Sequence, residues 1–411
     1  MKANGWTGGQ YSLFRFALGI YLALHFSQLA PWGAEVFSGA GVIPRASDSP
    51  LSGLFPNVLL LWDGPVFVTA ILWGAAGMAL AFAWGWRDRV FAVLLWYVWA
   101  CLLGRNPLIS NPGLPYVGWI LLAHACLPRA PYLSWEARKR ADPAGGWAMP
   151  QSLFIVAWIL MALGYSYSGW TKLDSPSWLD GSALSRVLEN PLARPGALRG
   201  VVLSLPPGLL RGMTWASLAL ELGFAPLVLF RRLRPWVWLA MLGMHAGLVL
   251  LLDFADLSFG MVMLHAFTFD PAWIRPRGTA ARIFYDGGCG LCHRWVRFVL
   301  AEDREGVFRF APLGGAAFLA SVPQTSRENL PDSLVVEMEG GVLLSRSAAV
   351  LAILARLGGV WGILSGVGGM FPAGFLDLAY DAVARVRRRI FSPPSGACPL
   401  LPRPLAVRFL P

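Results

Sequence analysis

Long apolar segments, which recur from Tyr11 to Phe269 and then stop, restrict most strongly how this chain can fold. A helix needs about 20 mainly apolar residues to cross a bilayer. Hydrophobic residues make up 56% of the 411 residues and charged residues only 14%, which is unlike an ordinary soluble enzyme. We therefore predict a polytopic α-helical membrane domain over residues 1–275, followed by a domain of soluble composition over residues 281–411.

About eight spans are predicted in the apolar part of the chain. They are residues 11–31, 60–84, 90–105, 114–128, 151–170, 213–230, 235–252 and 256–270. The fourth and eighth segments are short, so they are either full crossings or buried or re-entrant helices.

Four short basic clusters predict the orientation of these spans. They follow the second, fourth, sixth and eighth spans and read "WRDR" at 86–89, "EARKR" at 136–140, "RRLR" at 231–234 and "RPR" at 275–277. All four then lie on one face, which the positive-inside tendency makes cytoplasmic. We expect a multi-pass protein of the inner (cytoplasmic) membrane with both termini and residues 281–411 in the cytoplasm. Residues 32–57 and 171–212 are then external, and the second of these is expected to form an amphipathic surface helix and a lid.

The net charge of +11 indicates lipid rather than nucleic acid as a partner. The basic residues lie in clusters beside apolar spans, where they suit the anionic surface of a membrane. Membrane lipid is therefore an expected partner and nucleic acid is not. The amino terminus carries one lysine before the first span, so we expect no cleavable signal peptide.

A CxxC motif opens the soluble region. The strand pattern "RIFYD" runs directly into "GGCGLC", and the following "HRWVRFVLAEDR" is amphipathic with helical spacing. Cys289 then lies at a helix amino terminus and Cys292 one turn later on the same face. Free backbone N–H groups and the helix dipole stabilise a thiolate there, so we predict that Cys289 attacks and Cys292 resolves. In the cytoplasm the resting form is the dithiol.

Two other interpretations of this pair stay open. A zinc site needs about four ligands, and only His293 and Cys398 are available as extra ones. The pair could also be merely structural. We predict redox use and no metal. Cys101 and Cys126 lie in apolar spans and are expected to be ordinary buried thiols.

The elements after the motif predict a thioredoxin-like α/β domain. "FRFAPL" favours a strand, "SLVVEMEGGVLLS" a hairpin turned at Gly340-Gly341, and "RSAAVLAILARLGG" a helix, which gives the order β-α-β-α-β-β-α. With "YDGGCGLCHRWVRFVLAED" and the late "YDAVARVRRRIF", these segments resemble the DCC family of thiol-disulfide oxidoreductases. The resemblance implies dithiol-disulfide exchange with a thiol or disulfide partner, either a protein or a small molecule.

Lys172 is unusual because most basic residues of this chain are arginines. It is one of three lysines among 34 basic residues and ends the fifth predicted span, beside Trp170 and Trp178. A partly desolvated lysine can act as a neutral base, whereas arginine cannot give up its proton. The alternative is a lysine that only anchors the helix at the interface.

Five titratable groups lie within the other spans: His25, His124, Glu221, His245 and His265. Such groups are costly in hydrocarbon and are functional candidates by default. We favour Glu221 and His245 as binding residues, and expect His25 and His265 to make helix-packing hydrogen bonds.

The apolar part carries a second resemblance. The segments "FRFALGIYLALHF", "YSYSGWTKLDSPSWLDGSAL", "LELGFAPLVLF" and "MHAGLVLLLDFADLSFGMVML" resemble the transmembrane domain of vitamin K-dependent gamma-glutamyl carboxylase over residues 11–270. The resemblance implies that Lys172 deprotonates a reduced quinone, with His245 near the site. Asn111 and Trp170 are further predicted binding residues.

This chain departs from the carboxylase pattern in three ways. Thr171 replaces one of two adjacent lysines, an Asn-His pair is reduced to Asn106 and Asn111, and the large lumenal substrate-binding region is absent. A quinone is therefore a possible cofactor, but carboxylation of peptides is not expected.

Three functional hypotheses follow from the sequence. The first is a membrane protein with a cytoplasmic thiol-disulfide oxidoreductase domain, whose membrane half binds a quinone or lipid. The second is a carboxylase- or epoxidase-like, quinone-dependent membrane enzyme with Lys172 as base, in which the thioredoxin-like domain is a regulatory or interaction module. The third is a non-catalytic membrane sensor or immunity-type protein.

Overall fold

The structure, a computed structural model, describes residues 4–140, 142–143, 146–253, 255–278, 280–390 and 403–411. The chain divides into two compact units. The helical unit consists of Phe14–Leu127 and Pro150–Phe269. The α/β unit consists of Met1–Leu13, Pro128–Met149 and Asp270–Pro411, so it gathers two segments from the first part of the chain around the carboxyl-terminal region.

The helical part of the chain has a helix in each of the eight predicted spans. Its helices are α1 (Gly8–Leu29), α2 (Gly33–Phe37), α3 (Val58–Leu61), α4 (Pro65–Trp84), α5 (Asp88–Arg105), α6 (Leu114–Ala125), α7 (Gln151–Lys172), α8 (Pro176–Leu179), α9 (Ala183–Glu189), α10 (Ala197–Leu203), α11 (Pro207–Leu229), α12 (Arg234–Leu251) and α13 (Ala255–Thr268). The first residues of α1 belong to the α/β unit. The single surface helix predicted within residues 171–212 is instead the three short helices α8, α9 and α10.

Five of these helices are long and apolar enough to cross a membrane. They are α1 extended through α2, α4, α7, α11 and α12. The helices α6 and α13 are apolar but shorter, with 12 and 14 residues. The helix α5 has 18 residues and carries Asp88, Arg89 and Arg105 near its ends. A helical region with several candidate spans is therefore confirmed, and among the described residues length and composition support five of the eight predicted spans.

Local sequence signals set the ends of several helices. Pro65 opens α4, where its missing N–H has no intrahelical partner to lose, and Gly85 ends it in a left-handed conformation with φ of 74°. At the start of α5, Asp88 is buried against Arg15 at 3.5 Å and His124 at 3.6 Å. The buried carboxylate is therefore neutralised within the helical unit.

The α/β unit is built on a small mixed sheet. Its strands are β1 (Ala281–Tyr285), β2 (Phe308–Pro312), β3 (Val335–Glu337) and β4 (Leu343–Ser345). Their spatial order is β2-β1-β3-β4, with β1 parallel to β2 and antiparallel to β3, and β3 antiparallel to β4. The predicted hairpin is confirmed, because Gly340 and Gly341 turn it with positive φ of 82° and 77°.

Seven helices accompany this sheet. They are α14 (Gly290–Glu302), α15 (Ala316–Ser321), α16 (Gln324–Glu328), α17 (Arg346–Leu357), α18 (Gly359–Gly368), α19 (Ala373–Ile390) and α20 (Arg403–Ala406). The alternation of side chains along β1 divides the core. Ile283 packs on the face that holds Cys289 and Cys292, and Phe284 packs on the other face against Phe318.

The helices α18 and α19 are bent by 114° and would pass as a membrane span only as a pair. Both are tied to α17 by hydrogen bonds. Ser365 Oγ donates to the Leu351 carbonyl at 2.8 Å, and Asp377 accepts from the Ser347 backbone N–H at 3.2 Å. We therefore interpret the pair as part of the α/β unit.

Glu302, at the end of α14, joins distant parts of the α/β unit. Its side chain is buried and accepts hydrogen bonds from the Gly9 backbone N–H at 2.8 Å, from Trp361 Nε1 at 2.7 Å and from the Thr7 hydroxyl. Burial raises the pKa of Glu302, and the three donors oppose that shift. One carboxylate therefore satisfies donors from the amino terminus and from α18.

Candidate active site

The two cysteines of the motif lie where β1 turns into α14. Cys289 is the N-cap residue of α14, and its sulfur accepts the Cys292 backbone N–H at 3.4 Å. Before it, the turn is closed by Asp286, whose side chain accepts the Gly288 N–H at 2.9 Å. The predicted placement is therefore confirmed: a sulfur receives a helix amino-terminal N–H group, and the second cysteine lies one turn later.

Both sulfurs are free thiols shielded from solvent. Cys289 is 2% exposed and Cys292 8%, although Gly287 and Gly288 beside them are exposed. Burial, with hydrogen bonding and charge from Cys289, raises the pKa of Cys292 to about 12. Cys292 is therefore a thiol at neutral pH.

A buried arginine lies beside the pair. Arg387, on α19, is 3% exposed and donates to Asp332 at 2.7 Å, with Asp286 at 3.9 Å. Burial opposes its charge, but Asp332 and the two cysteine sulfurs outweigh burial and raise the pKa of Arg387 above its ordinary value. Arg387 therefore stays cationic and favours a thiolate at the motif.

A cavity of about 450 Å³ opens beside Cys292, between α14, α17 and α19. Its walls are mainly aliphatic and aromatic, and its polar lining residues are Cys292, Ser347, Tyr380 and Arg387. The Ser347 hydroxyl donates to Asp377, and the Tyr380 hydroxyl accepts from the Leu334 N–H at 2.9 Å. Arg387 Nε has no hydrogen-bond partner among the described residues.

The described residues contain no group of three or more His, Cys, Asp or Glu side chains that could hold a metal. His293 Nε2 lies 2.9 Å from the Gly287 carbonyl. Cys398, the other extra ligand considered for zinc, lies outside the described residues. Cys101 is buried as expected, but Cys126 follows α6 and is exposed, so the prediction of a buried thiol there is wrong.

A second polar cluster lies in the helical unit and contains Lys172, Glu221 and His245. Lys172 Nζ pairs with the buried Glu221 carboxylate, donates to Ser168 Oγ at 2.8 Å and lies 4.9 Å from the Trp178 ring centre. The cluster therefore brings together three of the predicted residues from α7, α11 and α12.

Tyr165 connects His245 of this cluster to a second histidine, His265. Its hydroxyl lies 2.7 Å from His245 Nε2 and 2.7 Å from His265 Nε2. His265 therefore makes the expected helix-packing hydrogen bond. Its partner, the Tyr165 hydroxyl, also contacts His245.

The structure does not bring the other two predicted binding residues into this cluster. Asn111 Oδ1 accepts the Gly113 N–H at 2.9 Å just before α6, and Trp170 lies on α7 with 67% of its surface exposed. No polar contact joins either residue to Lys172 among the described residues. His25 packs instead against Trp99, with ring centres 4.7 Å apart.

A reduced CxxC pair at a helix amino terminus after the first strand of a mixed sheet is the kind of site used for thiol-disulfide chemistry. Comparison with known families agrees, since residues 283–393 match the family described as DCC1-like thiol-disulfide oxidoreductase. The chain is also 26% identical over 133 residues to the uncharacterized protein YuxK of Bacillus subtilis (strain 168), a match that covers 31% of this chain and 93% of that protein. No solved structure matches the chain significantly.

Sequence reasoning missed Arg387, Tyr380, Tyr165 and the grouping of His265 with His245. Arg387 is buried and stands in the arginine run "RVRRR", where nothing in the sequence distinguishes it from its neighbours. Tyr165 lies seven residues before Lys172 in the segment already singled out, and two helical turns place both on one face of α7. Helical spacing could therefore have identified Tyr165, whereas Arg387 required the tertiary structure.

Proposed function

We propose that the α/β unit is a thiol-disulfide oxidoreductase that works through Cys289 and Cys292. The observation that carries this proposal is the contact between the Cys289 sulfur and the Cys292 backbone N–H at the start of α14. This N–H and the helix dipole stabilise a thiolate at Cys289, and the cationic Arg387 adds to the effect. The mixed sheet with the motif directly after β1 is also consistent with a thioredoxin-like fold.

The exchange proceeds in two steps that conserve electrons. The Cys289 thiolate attacks one sulfur of a partner disulfide, forms a mixed disulfide and releases the other partner sulfur as a thiolate. Cys292 loses its proton and attacks Cys289, which closes the Cys289–Cys292 disulfide and releases the reduced partner. The high pKa of Cys292 keeps it protonated until this second step.

Trapping with single substitutions tests these roles in the full chain. Cys289→Ser should abolish reduction of a disulfide substrate such as glutathione disulfide. Cys292→Ser should accumulate a mixed disulfide, visible by mass on a non-reducing gel or by mass spectrometry, because the resolving thiol is missing. The matched control is Cys126→Ser, which removes an exposed thiol elsewhere and should behave as the wild type. Mixed disulfide in the Cys289→Ser protein, or reduction by both variants, would reject the assignment.

We also propose that the helical part crosses the inner membrane eight times with the α/β unit in the cytoplasm. Residues 1–13, 128–149 and 270–411 form one compact unit, so the chain must return to the same side after each helical stretch. Three long helices, α7, α11 and α12, lie between the second and third of these segments. A fourth crossing by α13 makes the number of crossings even, so the chain returns to its starting side. Between the first and second segments, α1 and α4 already give an even number of crossings. The helices α5 and α6 must therefore both cross or both stay on one side. The four basic clusters favour crossing and a cytoplasmic face.

A second candidate function concerns the Lys172 cluster. The observations that favour it are the Lys172–Glu221 ion pair and the hydrogen-bonded group of Tyr165, His245 and His265, both in a region of apolar helices. Linked titratable side chains at such positions suit proton transfer to or from a bound lipid-soluble substrate. The proposed substrate is a reduced quinone, and Lys172 acts as the base after its own proton has passed to the paired Glu221 carboxylate.

A further inference from the structure

The cavity beside Cys292 has the form of a small-molecule site. Its volume of about 450 Å³ falls within the range of about 300–1,000 Å³ typical of ligand pockets. Val350, Leu351, Leu376 and Val383 are among its apolar lining residues, so the occupant must be largely apolar. The cavity also reaches a thiol of the CxxC pair, which gives it access to redox chemistry.

One polar group in this lining has unused hydrogen-bonding capacity. The hydroxyls of Ser347 and Tyr380 already have partners. Arg387 Nε has none among the described residues, and the atom is fully buried, so a ligand reaches it when the Arg387 side chain shifts toward the cavity. A buried donor without a partner costs free energy, and a ligand oxygen that accepts from it removes this cost.

The charges around Arg387 favour a neutral acceptor over an anion. Asp332 at 2.7 Å and Asp286 at 3.9 Å already neutralise the guanidinium. An anion would add charge to a guanidinium that these carboxylates already balance, whereas the oxygen of a neutral carbonyl can accept from Nε without adding charge. The expected ligand is therefore apolar, neutral and carries a carbonyl oxygen.

We propose that this cavity binds a quinone and that the Cys289/Cys292 dithiol reduces it to the quinol. This inference rests on the proposed redox function and names a substrate class for the same cysteines. Quinones are neutral, lipid-soluble, two-electron acceptors with carbonyl oxygens, so they satisfy each requirement of the cavity. A simple apolar disulfide would leave Arg387 Nε without a partner.

The reaction balances without another reactant. In this reaction the roles of the cysteines are reversed, because Cys292 and not Cys289 lines the cavity. The Cys292 sulfur bonds to a ring carbon of the quinone, and its proton passes to a quinone oxygen, which accepts a hydrogen bond from Arg387. Cys289 then attacks the Cys292 sulfur, the carbon–sulfur bond breaks and the Cys289–Cys292 disulfide forms. The second oxygen takes from water the proton that Cys289 released when it became a thiolate. Two thiols and one quinone thus give one disulfide and one quinol.

Duroquinone is a suitable probe because all four of its ring positions carry methyl groups, so it cannot retain a thiol adduct by losing a ring hydrogen. The full chain, reduced and freed of reductant in detergent, is mixed with duroquinone and followed by loss of quinone absorbance. Thiols are then counted with a maleimide that shifts the protein on a gel. We expect one quinone consumed and two thiols lost per chain, with neither loss in the Cys292→Ser protein.

Substitutions on α19 test the location. Ala379→Phe places a ring in the cavity and should slow duroquinone reduction at least about tenfold, whereas Ala382→Phe, on an exposed position outside the lining, should match the wild type.

Arg387→Lys keeps the charge but removes the Nε donor, and loss of one hydrogen bond should raise the KM for duroquinone about tenfold. Arg385→Lys, at an exposed position, is its control.

The outcomes separate this inference from the function on which it rests. If the wild type is oxidised by glutathione disulfide but not by duroquinone, the quinone site is rejected and disulfide exchange stands. If neither reagent oxidises the pair, both are rejected. Duroquinone reduction that is unchanged in both Ala379→Phe and Arg387→Lys, or slowed equally by Ala382→Phe, would overturn the assignment to this cavity.

Discussion

At the scale of single residues, the pair of Lys172 and Glu221 combines structural and chemical demands. A buried carboxylate and an ammonium group stabilise each other, and removal of one partner leaves an uncompensated charge at a cost of about 3–5 kcal/mol. Glu221 is 6% exposed at its side chain and Lys172 22%, so the carboxylate depends on the lysine more than the reverse. Arginine could satisfy this electrostatic demand, but it could not accept a proton.

Lys172→Arg should therefore separate the two roles. We expect the thermal unfolding midpoint of the detergent-solubilised chain to stay close to that of the wild type, whereas Lys172→Met lowers it because Glu221 loses its partner. If Lys172 is a base, Lys172→Arg should abolish oxygen uptake driven by a reduced naphthoquinone in proteoliposomes. Tyr165→Phe should weaken the same activity, and Tyr167→Phe, on an exposed position of α7, should leave it unchanged. A fully active Lys172→Arg protein would remove the assignment of Lys172 as a base.

At the scale of elements, the sequence predicts well whatever depends on local pattern. Hydropathy locates a helix in each predicted span, and the strand, turn and helix around Cys289 follow from alternation, glycines and helical spacing. It does not predict Glu302, which looks like an ordinary surface carboxylate of an amphipathic helix. Glu302 is 2% exposed because Thr7, Gly9 and Trp361 surround it, and these contacts join residues up to 295 positions apart. Arg387 is hidden from sequence reasoning for the same reason.

The junction between α17 and α18 gives a prediction at this scale. Gly358 has φ of 66°, and a Cβ there would lie 2.8 Å from both the Ile274 carbonyl oxygen and the Pro276 nitrogen. Both the left-handed backbone and the contact with main-chain atoms oppose a side chain, so Gly358→Ala should destabilise the α/β unit by about 1–3 kcal/mol. Thermal unfolding of the full chain, with thiol exposure as a second probe, measures the loss.

Gly366→Ala is the matched control for this substitution. Gly366 lies within α18, and nothing is within 4 Å of its added Cβ. Alanine is favoured over glycine in a helix by about 1 kcal/mol, so this variant should be neutral or slightly more stable. Equal stability of the two variants would show that the junction does not require glycine.

At the scale of the whole molecule, the α/β unit is built from three separate segments of the chain, and this restricts the membrane topology more than hydropathy does. Five long helices would place residues 128–149 and 270–411 on opposite sides, because three of them lie between these segments. The two segments nevertheless pack in one unit, where Tyr132 OH donates to the Arg294 carbonyl at 3.4 Å and Phe298 packs beside the Tyr132 ring at 6.3 Å. The eight-span proposal, which puts an even number of crossings between these segments, is therefore compatible with one compact unit, whereas three crossings between them are not.

Single-cysteine labelling of a chain whose own cysteines are replaced by serine tests this topology. Exposed positions are chosen in the two segments of the α/β unit, Glu136→Cys and Glu305→Cys, and in the two predicted external loops, Leu54→Cys and Leu198→Cys. A membrane-impermeant maleimide should label the first pair only in inside-out vesicles and the second pair only in right-side-out vesicles. The first pair must behave alike, because an even number of crossings separates the two positions. If Glu136→Cys and Glu305→Cys label from opposite sides, an odd number of crossings separates them and the parity argument is wrong. If they label together from the outside, the crossing count stands but the cytoplasmic orientation inferred from the basic clusters is reversed.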